Sequence, residues 1–435
     1  MIQVNCSRLF VLGVCAALVA GCGGSGSSNG GGGGGGTGGG GGNSDTTVTI
    51  TFYGPSQPSV VDAQIGTSAF AAETLSGNIL TLTIPSGTSN YSVVYLCPAL
   101  VTGGTSAQFE YLWEASIVDG TSLTFSCAAQ PSLTPTLTGS LDATAIAGVQ
   151  QFQINARNAA SFNGGYANGP TSSFNVPAPA GSDRVLVQAY TNQNQGPVAA
   201  KNFDNQTVPG ALNGGNTVVF GTADKTTPEA ITYNNVPAAF ASPNTSIQLG
   251  MNGTSQAYYY ASDATTQYLA LPASATEDGD VYFLDASASS ASIPSSVNTL
   301  TISSGGPVTF TFPAPWSYAG PTPAALPSFT MGYTGFAGQA NVTQNVWIFW
   351  GSGSGGGSSS TNNIQVAATA NYQAGSTTLA IPDLSGLQGF FAAPASGKQV
   401  EWVVSMEQQS WSLTAEPSLN STANEVMNSG LYTVP

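Results

Sequence analysis

The chain contains no histidine and only six basic residues in 435. The missing imidazole excludes the Ser-His-Asp triad, the Cys-His pair and His-ligated zinc, copper or haem, and most hydrolase mechanisms go with them. The basic residues are Arg8, Arg157, Arg184, Lys201, Lys225 and Lys398. They are scattered, so no patch can neutralise a run of phosphates, and nucleic acid is not expected as a partner. Charge of either sign is scarce, at 6% of residues against roughly a quarter in an ordinary globular protein. The 21 acidic residues leave a net charge of −15, and the rest of the polar surface must come from Ser, Thr, Asn and Gln. A hydrophobic share of 41% is still enough to build a core, punctuated by 54 Gly and 26 Pro.

A long apolar run is found at the amino terminus, Leu9 to Ala20, behind the single charge of Arg8. About 12 residues is short for a bilayer of roughly 30 Å, so this segment reads as a secretory signal peptide over 1–21 rather than a membrane span. It ends in Val19-Ala20-Gly21-Cys22, which resembles the lipobox of bacterial lipoproteins. The resemblance implies that Cys22 is acylated, becomes the mature amino terminus and anchors the chain in a lipid bilayer. Gly23 rather than Asp after the cysteine implies, by the same family's sorting pattern, the outer membrane. The alternative is an ordinary secretory signal that leaves a soluble protein with a loose thiol. Residues 23–42 hold 15 Gly in 20 positions. Such a stretch cannot bury apolar area to offset ordering entropy, so 22–44 is expected to be a disordered tether spanning roughly 25 Å on average. Loss of Arg8 with the signal takes the side-chain balance to −16, which an anionic membrane repels.

From Asp45 onward, short runs with period two alternate with Gly, Pro, Ser and Asn, as in Thr47 to Phe52, Ser92 to Leu96 and Val308 to Phe312. The pattern predicts an all-β fold of half-buried strands. An apolar-x-apolar-Pro strand end recurs four times, closing at Pro85, Pro177, Pro272 and Pro382, with spacings of 92, 95 and 110 residues. The long third interval contains a polar insertion, 351–363. Strand ends at Phe125, Phe220 and Phe312 repeat at 95 and 92 residues, and Leu431 to Val434 reads as the matching closing strand of a fourth copy. The expected organisation is four antiparallel β-sandwiches over 45–131, 132–227, 228–322 and 323–435. In size they resemble immunoglobulin-like or transthyretin-like modules. Pro-dense junctions such as Ala314 to Pro327 suggest an extended rod.

Of five cysteines, Cys6 and Cys15 leave with the signal and Cys22 is lipidated, so Cys97 and Cys127 form an even pair and the natural disulfide. Candidate sites are few. Glu277, Asp278 and Asp280 could hold calcium, but Asp278-Gly279 also suits a hairpin turn. Glu110 and Glu114 would lie about 13 Å apart on one face of a strand, wider than glycosidase geometry, and read as a solvated strand face. Trp347, Trp350 and Trp402 could form a glycan- or peptide-stacking platform, or pack in a core; Trp347 and Trp350 point to opposite faces of a strand, so at least one should be internal. The run Tyr258-Tyr259-Tyr260 divides the same way. Lys201, Lys225 and Lys398 are each isolated, which weakens a Ser-Lys dyad. No cofactor is implied. The leading expectation is a non-catalytic surface lipoprotein acting in adhesion, envelope architecture or ligand presentation to a glycan or protein partner. The alternatives are a carbohydrate-binding lipoprotein and, less favoured, an enzyme without histidine.

Overall fold

Alternation of aliphatic and hydroxyl side chains turns most of the chain into strands. Ile79 to Ile84, for example, buries Leu80, Leu82 and Ile84 and leaves the residues between them exposed. The computed structural model describes residues 44–53, 57–102, 105–127, 136–156, 165–178, 180–192, 196–251, 257–290, 295–351, 360–412 and 417–435. Residues 1–43, which include the expected signal segment, Cys22 and the Gly-rich stretch, lie outside these residues. The fold is all-β, with a one-turn helix at Ala370–Gln373 and several short 3-10 turns.

The strands fall into four sets, called units 1 to 4. Unit 1 holds β1 (Thr46–Tyr53), β2 (Val60–Ile65), β3 (Ala71–Ala72), β4 (Ile79–Ile84), β5 (Asn90–Thr102), β6 (Thr105–Ser116) and β7 (Ser122–Ser126). Unit 2 holds β8 (Thr136–Asp142), β9 (Gln151–Ala156), β10 (Gly165–Asn168), β11 (Thr171–Pro177), β12 (Gly181–Tyr190), β13 (Ala199–Val208), β14 (Gly210–Ala211) and β15 (Val218–Val219). Unit 3 holds β16 (Thr227–Asn234), β17 (Asn244–Gly250), β18 (Ala257–Ala264), β19 (Gln267–Ala270), β20 (Val281–Ser289), β21 (Ser295–Ser303) and β22 (Val308–Thr311). Unit 4 holds β23 (Ser328–Thr330), β24 (Val342–Gly351), β25 (Ser360–Thr369), β26 (Thr378–Ala380), β27 (Gln399–Gln409) and β28 (Thr422–Thr433).

Pairing repeats from set to set. Each opening strand runs antiparallel to the strand that carries the apolar-x-apolar-Pro end: β1 with β4, β8 with β11, β16 with β19 and β23 with β26. In units 1 to 3 the opening strand also has a parallel closing neighbour, β7, β14 and β15, or β22. Each of these sheets packs against a second sheet, four-stranded like itself in unit 2 and larger in the others, through shared aliphatic and aromatic cores.

The larger sheets do not remain separate. Twelve strands join in the order β18-β17-β20-β21-β28-β27-β24-β25-β6-β5-β2-β3, which fuses units 3, 4 and 1. The joins are β21 antiparallel to β28 and β25 parallel to β6. This corrects the expectation of an extended rod. The pairing satisfies the rows of N–H and C=O groups that β6, β21, β25 and β28 would otherwise leave open, and none of these four strands carries a lysine or arginine. Unit 1 packs its small sheet on the opposite face from units 3 and 4. Along β5, Val93 and Tyr95 enter unit 1's own core, whereas Val94 and Leu96 join the core of units 3 and 4.

Three further differences follow. The Ala314 to Pro327 junction does not hold units 3 and 4 apart but packs into unit 4, where the backbone carbonyl of Trp316 accepts from Asn428 Nδ2 at 3.0 Å and Tyr318 meets Trp402 edge-on at 5.4 Å. Leu431 to Thr433 continue β28 instead of forming a closing strand, and β23 has no parallel neighbour among the described residues. Of the 351–363 insertion, Gly351 ends β24 and Ser360 to Asn363 begin β25, while 352–359 lie outside the described residues.

Candidate functional site

The aromatic platform is not assembled. Trp347, Trp350 and Trp402 are all buried, with 5 to 7% of their surface accessible. Alternation along β24 turns Trp347 and Trp350 to opposite faces, and both faces of this central strand are covered. Trp350 meets Phe391 edge-on at 6.0 Å, and Trp402 lies across Gly430, whose missing Cβ would fall 2.5 Å from the indole. All three are core residues because β24 and β27 lie in the interior of a twelve-stranded sheet, which the sequence of one strand does not reveal. The side chains of Tyr258, Tyr259 and Tyr260 lie outside the described residues.

The acidic turn serves as a counter-charge, not as a calcium loop. Arg184, 2% exposed on β12, forks onto Asp280 with Nη1–Oδ1 at 2.6 Å and Nη2–Oδ2 at 2.7 Å, and its Nε lies 3.3 Å from Glu277 Oε1. Asn202 ties Glu277 to Asp204. A hydrogen bond with the Asp204 carboxyl holds Glu277 above its ordinary value, against the pull of Arg184. Asp278 and Gly279 do form a turn, but it links β19 to β20, which lie in different sheets, so it is not a hairpin. Among the described residues, no group of three or more Asp, Glu or Cys is arranged to hold a metal ion. Cys97 and Cys127 form a disulfide with their Cα atoms 5.3 Å apart, as suits a protein folded in an oxidising compartment.

The unexpected chemistry lies at the joins between units. Glu110 and Glu114 do not form a solvated strand face. Glu110 is 1% exposed and Glu114 is half-buried, because β25 pairs beside them and Phe391 and Tyr372 of unit 4 meet them. Burial pushes Glu110 up to about 8, although the Phe391 N–H donates to its Oε1, and its Oε2 has no partner. Burial likewise pushes Glu114 up to about 7, partly offset by a hydrogen bond with Tyr372.

No protein-family model matches the chain, and no curated protein matches it. A solved structure of a streptococcal ancillary pilin is similar over 55% of this chain and 89% of that chain, at 9% sequence identity and a TM-score of 0.14. A score that low carries no argument about either fold or function.

The second join repeats the pattern. Glu425 on β28 stands opposite Glu407 on one side and Asn298 on the other, with Asn298 Nδ2 donating to its Oε2 at 2.9 Å. Loss of water and the charges of Glu425 and Glu407 push Asp285 up to about 8; Glu407 rises to about 7 through burial and Glu425. Glu425 is raised as well, chiefly by loss of water. Sequence reasoning passed over these three acids because each stands alone in its own strand. Only the register of β20, β21, β27 and β28 brings them together.

Proposed function

We propose that the protein is a non-catalytic surface lipoprotein, anchored in the outer membrane through acylated Cys22, that acts in adhesion, envelope architecture or presentation of a binding face. The observation that carries this reading is the backbone pairing of units 3, 4 and 1 into one sheet, which suits a scaffold that spreads force over many hydrogen bonds. The lipobox-like Val19-Ala20-Gly21-Cys22 and the Gly-rich stretch behind it supply the anchor and the stand-off from the headgroups. The disulfide of unit 1 supports an exported location. In this reading the four modules keep the boundaries 45–131, 132–227, 228–322 and 323–435.

The test is metabolic labelling of producing cells with an alkyne fatty acid, followed by membrane fractionation. The wild-type chain should carry label and sediment with the outer membrane, while Cys22→Ser should lose the label and appear in the soluble fraction. An unlabelled, soluble wild-type protein would refute the anchor. Unchanged adherence and envelope integrity in cells lacking the protein would refute the scaffold role.

A further inference from the structure

The join between units 1 and 4 is closed without an ion pair. Glu110 stands opposite Ile364 and Glu114 opposite Ala368 where β6 meets β25. Unit 4 reaches this face through Tyr372 and Phe391. The Phe391 N–H donates to Glu110, and Asn90 Nδ2 and Ser92 Oγ reach the carbonyl and hydroxyl of Tyr372, each at 3.2 Å. Thr369 Oγ1 and Asn371 Nδ2 donate to Asp119 at 2.5 and 2.6 Å. The titratable groups around the carboxyls are Asp62 from β2, Tyr372 from the helical turn and Asp119 after β6, none of them a cation. Among the described bases, Arg184 is bound to Asp280 and Lys201 to Asp224, while Lys225 and Lys398 are exposed.

We propose that this join is an acid-closed clasp: neutral Glu110 and Glu114 let unit 4 dock on unit 1, and their ionisation releases it. A neutral Glu110 accepts the Phe391 N–H and leaves an uncharged oxygen buried. An ionised one would place a full charge there with one donor and no cation, a cost that undocking removes by returning it to water. The closed form therefore binds protons that the open form gives up. With the folded values at about 8 and about 7, closure is fully favoured below the ordinary carboxylate range and is lost as pH rises through 7 to 8. Between the ordinary carboxylate range and about 7 the closed form holds two protons that the open form has released, so the ratio of closed to open falls by up to about 100-fold per pH unit there and levels off above both values. Asp285, Glu407 and Glu425 put the same chemistry at the other join. Opening would let units 2 to 4 swing away from unit 1, which lies next to the amino-terminal stretch, and extend the reach of the array.

The test uses the full chain with Cys6→Ser, Cys15→Ser and Cys22→Ser, so that the thiols labelled are Thr81→Cys in unit 1 and Ser396→Cys in unit 4, and pulsed electron resonance between pH 5 and 9. A single narrow distance at pH 5 should give way reversibly to a broad, longer distribution near pH 8, with strand content by circular dichroism unchanged. Glu110→Gln/Glu114→Gln should keep the short distance to pH 9. If the pair does not fold, Glu110→Gln alone should raise the opening midpoint. A distance unchanged from pH 5 to 9, global unfolding in place of opening, or an unshifted midpoint in the glutamine variants would overturn the proposal.

Discussion

Gly430 lies on β28 where the Trp402 indole crosses the strand, and the indole also meets Tyr318 edge-on at 5.4 Å and Phe329 at a tilt at 6.2 Å. A methyl group there has no room, so Gly430→Ala should force the ring off its rotamer and cost about 1–3 kcal/mol in denaturant unfolding. The change should be accompanied by a shift in tryptophan emission. Arg184 poses a different problem, because its charge is nearly sealed from water against Asp280. Arg184→Met should strand that carboxylate and destabilise the contact of unit 2 with unit 3 by about 3–5 kcal/mol, and Arg184→Met/Asp280→Leu should recover much of the loss. Thermal unfolding of the two variants side by side checks both statements. Neither role could be read from single residues. The acidic turn was visible in the sequence, but its partner lies 96 residues away, and the spacing of Glu110 and Glu114 said nothing about the residues of unit 4 that meet them.

Among the elements, the strands themselves were legible and their neighbours were not. Period-two alternation marks β4 and β22 directly, since each buries one face only. The apolar-x-apolar-Pro ends fall on the equivalent strands β4, β11, β19 and β26, where proline is tolerated at a strand terminus. By contrast β24 is buried on both faces, and no periodicity distinguishes a strand in the middle of twelve from one in the middle of four. The Ala314 to Pro327 segment misled for a related reason: proline made it extended, as expected, but Trp316 and Tyr318 gave it a core to enter. The Cys97–Cys127 disulfide ties the β5 side of unit 1 to the end of β7, across 30 residues. Cys97→Ser/Cys127→Ser should lower the stability of unit 1 by about 3–4 kcal/mol on the chain-entropy view, and native-state hydrogen exchange should locate the loss in β1, β5 and β7.

At the scale of the molecule, scarcity of basic residues leaves the joins between units lined with carboxyl groups that lack cations. Glu110, Glu114, Asp285 and Glu407 all bind protons more tightly in the folded chain than in the unfolded one, at about 8, 7, 8 and 7. Folded stability should therefore be greatest on the acid side and fall as pH rises through 7 to 8. The melting temperature should be several degrees higher at pH 5 than at pH 8.5, whereas a rise over that interval would show that these groups ionise freely in the native state. The all-β class could be read from the sequence; the single sheet through units 3, 4 and 1 could not, because strand order across a join depends on which edges find each other. Hydrogen exchange of the intact chain at pH 5, resolved by mass spectrometry along β21, β28, β25 and β6, tests that sheet most directly. Protection of both rows of amides on all four strands, comparable to that of β20 and β27, is the expected result. Fast exchange of every second amide along β21 and β28, as on strands with one open edge, would contradict it.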